Sequence, residues 1–259
     1  MQTKNKTIAL IHVRKLCVLN ILLLCSYTSI AQQHEQLWFD FQLSYPFANR
    51  YLIENTTTYQ TVVSNNDKWR SVAISPNFEY IISRNLDFLF EVPIAYTLQK
   101  EGMNSFEISP LSGVRFHISQ NKRLDTRILL RYQVRSFREV EAADWETSNR
   151  TRLRGEVYFS INGPNLYTDK LWYLFGDYEE FFVIDQQVNE RFANRRRARL
   201  GVGYRLNYKH RFDVSYTLQS SRDEIDGAFI RTDNVLQLRY KMYLNPAKTA
   251  NVPTNEPNR

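Results

Sequence analysis

From Leu37 to Leu244 the chain repeats one rhythm: apolar and polar side chains alternate over ten to sixteen residues, then a turn rich in Asn, Asp, Gly, Lys or Pro follows. A period of two sends successive side chains to opposite faces of a strand. Leu86, Phe88, Phe90, Val92, Ile94, Tyr96 and Leu98 share one face, whereas Asp87, Glu91, Ala95 and Thr97 share the other. Leu124, Ile128, Leu130, Tyr132 and Val134 likewise oppose Asp125, Arg127, Arg131 and Gln133. Phe212, Val214, Tyr216 and Leu218 oppose Arg211, Asp213, Ser215 and Thr217, and Leu236 to Leu244 repeats the pattern against Gln237, Arg239 and Lys241.

Strands of soluble sheets run about 5 or 6 residues, and these segments are about twice that. Crossing a bilayer at a tilt takes roughly 9 to 11 residues, and in lipid the sheet must close so that no backbone group is left unpaired. The pattern predicts an all-β fold: a transmembrane antiparallel β-barrel, apolar side chains outward and charged ones toward an enclosed axis. Short turns fall near Ala48 to Arg50, Ser83 to Asn85, Gln120 to Lys122, Asn162 to Asp169 and Asn207 to Lys209. Longer polar connections fall near Ser64 to Lys68, Gln99 to Asn104, Arg138 to Asn149, Asp185 to Glu190 and Ser220 to Gly227. In bacterial barrels the short set faces the periplasm and the long set the outside. Eleven segments can be counted, but single-chain bacterial barrels have even strand numbers. The expectation is therefore twelve strands with one overlooked, or ten if Leu37 to Tyr45 stands apart from the wall.

The N-terminus adds an address. Met1 to Lys15 is basic, Leu16 to Cys25 is a short apolar run, and Ser29-Ile30-Ala31 sets small residues before Gln32. That order predicts a secretory signal peptide over 1–31, cleaved after Ala31. A lipoprotein signal with Cys25 as the modified residue is the alternative; Leu24 opposes it, because a small residue normally precedes such a cysteine. Residues 32–244 then form the barrel and 245–259, rich in Pro, Asn and Thr, a disordered C-terminal tail. Export and barrel together predict the outer membrane of a Gram-negative bacterium, with outer-membrane lipid and the barrel-assembly machinery as partners.

The net charge of +7 suggests a polyanion partner until Lys4, Lys6, Arg14 and Lys15 are set aside with the signal segment. The remainder carries 30 basic against 27 acidic residues, which predicts no nucleic-acid binding. Both cysteines, Cys17 and Cys25, lie in the same segment, so the rest of the chain has no thiol chemistry and no disulfide. After the first thirty residues no stretch reaches the ~20 apolar residues of a membrane helix.

The polar faces hold the candidate chemistry. Arginines run along them in rows: Arg127, Arg131 and Arg135; Arg150, Arg152 and Arg154; Arg195, Arg197 and Arg199. Asp177 and Glu179 lie between the last two rows, and Glu79, Glu91 and Glu107 in the first half of the chain. Carboxylates beside guanidiniums on adjacent strands form charge-assisted ladders. Such ladders either fill and stiffen the barrel or set up opposed charged walls that orient solutes in a pore. Asp177 and Glu179 are assigned to the lumen although both faces of their strand are largely apolar. Tyr45, Phe47, Tyr80, Trp172, Tyr173, Tyr204 and Tyr243 suit the aromatic girdles of a membrane barrel. His117 and His210 sit near short turns, with Ser119 and Asp213 nearby, and are read as rim groups rather than a catalytic triad. The sequons at Asn55 and Asn149 are treated as chance.

The run from Arg195 to Leu206 (RRRARLGVGYRL), Phe212 to Gln219, and Asn234 to Leu238 (NVLQL) together resemble the closing strands of the family catalogued as domain of unknown function 2490. Trp38 and the strand from Asp177 to Phe182 (DYEEFF) are similar to it as well. The resemblance covers essentially the mature chain. It implies an outer-membrane barrel, commonly from the Bacteroidota, and brings no activity or site residues with it. The function expected is a passive channel for small polar solutes; the alternative is a closed barrel, structural or partner-binding, without transport. No enzyme activity, cofactor or metal is expected.

Overall fold

The computed structural model describes residues 34–48, 50–63, 69–100, 103–120, 122–141, 144–183, 194–222 and 229–244. The segments read as a signal peptide and as a C-terminal tail lie outside the described residues. Among those described there is no helix, and there are thirteen strands: β1 (His34–Phe47), β2 (Tyr51–Val62), β3 (Trp69–Ser83), β4 (Leu86–Glu91), β5 (Ile94–Gln99), β6 (Ser105–Ile108), β7 (Leu111–Ser119), β8 (Leu124–Glu139), β9 (Glu146–Ser160), β10 (Leu171–Val183), β11 (Asn194–Arg205), β12 (His210–Arg222) and β13 (Ile230–Tyr243).

Eleven strands close into a barrel through successive pairings, and β5 and β6 lie outside that ring. These two short strands prolong β4 and β7. Asp87 to Glu91 and Ile94 to Gln99 meet β3 in one continuous register, Asn77 facing Glu91 and Ile74 facing Ile94. β6 and β7 share one register on β8 in the same way, from Ser105 opposite Glu139 to Leu111 opposite Gln133. Proline makes the breaks. Val92 donates to the Pro76 carbonyl (3.0 Å), Ser109 to that of Pro93 (2.8 Å) and Val134 to that of Pro110 (3.0 Å). No proline can return the reciprocal bond, having no N–H, so each of three adjacent seams lacks one ladder bond.

The expected strand number is corrected: the ring has eleven strands, neither twelve nor ten, and it is mixed rather than wholly antiparallel. The segment from Leu37 to Tyr45 does join the wall, inside β1. Consecutive strands run alternately, so an odd number leaves the first and last pointing the same way. The closing pair is accordingly parallel, His34 facing Asp233 through to Ser44 facing Tyr243.

Polarity is inverted relative to a water-soluble barrel. Outward positions are apolar and open, from Ile53, Val72 and Leu130 to Leu200 at 70% exposure, whereas inward positions hold buried charge such as Asp40, Arg131 and Glu179, the last at 2%. Two small apolar clusters interrupt the polar interior: Leu89 with Leu111 and Leu129, and Leu166 with Leu171, Tyr173 and Phe175. The aromatic rings of the second cluster need room on the neighbouring strand. Tyr173 faces Gly203 and Phe175 faces Gly201 across the β10–β11 seam. A Cβ added at Gly203 would lie 2.2 Å from the Tyr173 ring, and one at Gly201 2.4 Å from Phe175.

Gly203→Val is therefore expected to destabilise the barrel by about 1–3 kcal/mol through overpacking. Gly155→Ala, whose added Cβ meets nothing within 4 Å, should unfold within ~0.5 kcal/mol of the parent. Denaturant titration of both variants checks the contrast.

Candidate functional site

Alternation along β1 to β13 aims one polar row per strand at the axis, and a cavity of about 610 Å³ remains between these rows. Its charge is divided by wall. The strands and turns from β1 to β7 contribute five carboxylates (Asp40, Glu54, Glu79, Asp87, Glu91) but only two guanidiniums, Arg84 and Arg115. From β8 to β13 come nine cations, Arg197, Arg211 and Arg239 among them, against four carboxylates: Glu156, Asp177, Glu179 and Asp213.

Much of this charge is neutralised by local pairing. Glu179 is the hub: Arg152 grips it with Nε and Nη2, both at 2.9 Å, Arg154 Nη2 reaches it at 3.3 Å, and Arg131 Nη2 donates to it from β8. Asp177 accepts from Arg199 Nε (2.6 Å), Glu79 from Arg115 Nη1 (2.6 Å), and Asp125 from Arg127 Nε (3.0 Å). On the closing seam Asp40 accepts from Arg239 Nη2 at 2.8 Å and from Gln237 Nε2 at 2.6 Å. Glu54 pairs with Lys241 at 3.0 Å.

Of the residues singled out from the sequence, Glu79, Glu91, Arg127, Arg131, Arg152, Arg154, Asp177, Glu179, Arg197 and Arg199 line this one cavity. Glu107, Arg135, Arg150 and Arg195 do not line it. They sit nearer the ends of their strands at the long connections, where Arg135 grips Glu107 at 2.9 and 2.6 Å and Arg150 Nε donates to Gln133 at 2.9 Å. Other lining groups were not singled out. Asp40 lies in a strand of less regular alternation; Glu156 continues the parity of Arg150, Arg152 and Arg154 and could have been read from it.

The two ends of the interior differ. At the short-turn end the lining reaches Arg84 and Gln120. There the connection 161–170 turns Leu166 inward, buried, with its carbonyl held by Arg205 Nη1 at 3.0 Å. At the other end the lining stops at Trp38, Gln60 and Arg197. Beyond them Gln36 and Gln219 both donate to Asp233, at 2.7 and 2.6 Å, and Gln219 accepts from Arg197 Nε at 2.7 Å. All three, with Gln133, are buried.

Two girdle assignments are corrected. Tyr173 points inward and donates to Asp213, and Tyr243 lines the cavity, because both share the parity of charged neighbours. Other aromatics do pack on the outer face near the short turns: Phe47 on Tyr51 (5.1 Å), Tyr51 on Tyr80 (5.1 Å), Trp172 on Tyr204 (4.7 Å). The histidines lie on opposite faces. His117 faces the lumen against Asp87, and His210 faces out, its Nδ1 2.8 Å from the Tyr240 hydroxyl. Among the described residues no group of three His, Cys, Asp or Glu side chains could hold a metal ion.

Residues 35–227 match the model of a family described as protein of unknown function (DUF2490). The chain belongs to that family. The DUF2490 match runs from β1 through β12, and so takes in most of the cavity; it ends before β13, which closes the ring and supplies Gln237, Arg239, Lys241 and Tyr243. No curated protein matches the chain.

Removing the hub carboxylate leaves three guanidiniums without it, and uncompensated buried charge is far costlier than a lost surface pair. Glu179→Gln should cost about 3–5 kcal/mol. The next residue, Glu180, pairs outward with Arg196 at 2.8 Å, and Glu180→Gln should cost below ~1 kcal/mol. Chemical unfolding of the two variants measures the difference.

Proposed function

We propose that this DUF2490 member is an outer-membrane β-barrel of a Gram-negative bacterium, entered by small polar solutes from its short-turn end and barred at the other by hydrogen-bonded side chains. The inverted polarity carries the membrane reading. A soluble monomer rarely exposes a contiguous apolar patch beyond a few hundred Å², whereas here apolar residues face outward from every strand of the ring. Hydrocarbon is the solvent that suits such a surface, and a closed ring suits hydrocarbon because it leaves no sheet edge. Strands of 12 to 16 residues, such as β2 and β8, are long enough to span it. The outer-face aromatics near the short turns fit a headgroup layer, and the order of residues 1–31 fits export through the inner membrane. In this reading the short turns face the periplasm, the barrel-assembly machinery inserts the chain, and no side chain has a catalytic role.

The buried Gln36, Gln219, Asp233 and Gln133 favour a lumen barred at rest over a standing pore. Purified protein should need detergent, and its unboiled form should migrate apart from its boiled form on a denaturing gel; a chain freely soluble without detergent would overturn the membrane reading. In planar bilayers the parent protein should stay silent, and the combined variant Gln133→Ala, Gln219→Ala, Asp233→Ala should show conductance steps. Steady conductance from the unaltered barrel would refute the bar and restore the passive channel.

A further inference from the structure

We propose that the lumen contains a binding site for a small hydroxylated organic anion, with the Arg197 guanidinium receiving its charged head. The proposal deepens the reading of a solute-accessible lumen and does not depend on where the barrel resides.

Arg197 lines the cavity. Its Nε donates to Gln219 Oε1 at 2.7 Å, and its guanidinium carbon lies 5.1 Å from the Phe181 ring centre and 5.8 Å from that of Trp38. No described carboxylate forms an ion pair with it, unlike Arg131, Arg152, Arg154 and Arg199. Gln219 and the two rings fix the plane of the guanidinium, and its Nη groups have no acceptor among the described residues.

The surroundings strengthen the case. Arg131, Arg152 and Arg154 all share Glu179, and Arg154 also pairs with Glu156 at 3.3 Å, so with Arg197 four guanidiniums stand against two carboxylates in this part of the cavity. The cluster is held open by packing: Arg152 lies over Phe181 at 4.5 Å, and the stem of Arg131 occupies the space over Gly113. Like charges fixed at close range in a low-dielectric interior repel strongly, and an anion between them removes that repulsion. A guanidinium fork matches the two oxygens of a carboxylate or phosphate.

The rest of the ligand is indicated by the facing wall. Thr56, Thr58 and Gln60 of β2 and Ser75 of β3 line the same cavity, and none makes a side-chain hydrogen bond among the described residues, leaving donors and acceptors for hydroxyl groups. A volume of about 610 Å³ is in the range of small-molecule sites, roughly 300–1,000 Å³. A short polyol bearing one phosphate or carboxylate satisfies both walls.

Calorimetric titration of the folded full-length barrel tests this with three probes: glycerol phosphate, gluconate and the neutral polyol sorbitol. At least one anionic probe should bind and sorbitol should not; which anion binds identifies the head group. Arg197→Gln should weaken binding about tenfold to a hundredfold, whereas Arg196→Gln, on the outer face beside Glu180, should leave it within about twofold. Heat-dependent gel mobility checks that each variant is folded. If Arg197→Gln does not fold, Arg197→Lys, which keeps the charge and loses the fork, should still bind measurably more weakly. Failure of both anions to bind a correctly folded barrel, equal binding of sorbitol, or affinity unchanged by substitution at Arg197 would each overturn the site. Those failures leave the membrane reading untouched, and a detergent-free soluble barrel would leave the binding result valid.

Discussion

Closure of the backbone hydrogen-bond ladder is the constraint on which the rest of this structure rests. A curved sheet with apolar residues on its convex face has nowhere to hide an open edge, and each unpaired backbone group in an apolar medium costs several kcal/mol. The last seam joins β1 to β13 over eleven residue pairs, and those strands are parallel because the ring has an odd number of strands. Side chains reinforce the seam from within: Gln36 reaches Asp233, and Gln237 and Arg239 reach Asp40. Residues almost two hundred positions apart thereby fix the circumference for every other strand.

A fixed circumference decides what the inner face can be. Side chains of inward parity converge on one axis, and charges that would be solvated on a flat sheet must find partners there. Glu179 with its three arginines shows the outcome. Buried ion pairs are close to neutral for stability, since desolvation offsets most of the attraction. Ladder bonds and apolar burial hold the barrel together, and the pairs decide where the interior is solid and where it is hollow. The side chains of Gln36, Gln219 and Asp233 are buried and hydrogen-bonded to one another, and the cavity lies next to them.

The walls of that cavity are unlike because two short stretches of sequence became its opposite sides. The hydroxyl and amide side chains of β2 and β3 come from the first third of the described residues, and the arginine rows from β8 to β11. Local pairing cancels much of the separation, as between Glu79 and Arg115, yet Arg197 retains a charge that no described carboxylate meets. Apolar residues inside, the Leu89 and Leu166 clusters together with Phe181 and Trp38 beside the arginines, are outnumbered by polar and charged lining, which is suited to polar solutes.

The sequence by itself determined which side of each strand is greasy, where the turns fall, and that the arginines of β8, β9 and β11 share one face. Period-two alternation is set by the geometry of a single strand and needs no neighbour. The tertiary structure alone decided the count of eleven, the parallel seam, the in-register prolines at 76, 93 and 110, and which guanidinium meets which carboxylate. Tyr173 shows the difference: its ring reads as girdle by proximity to a strand end, yet parity and Gly203 on the next strand turn it inward. Neighbour, stagger and closure depend on contacts between residues far apart in the chain, and no local pattern encodes them.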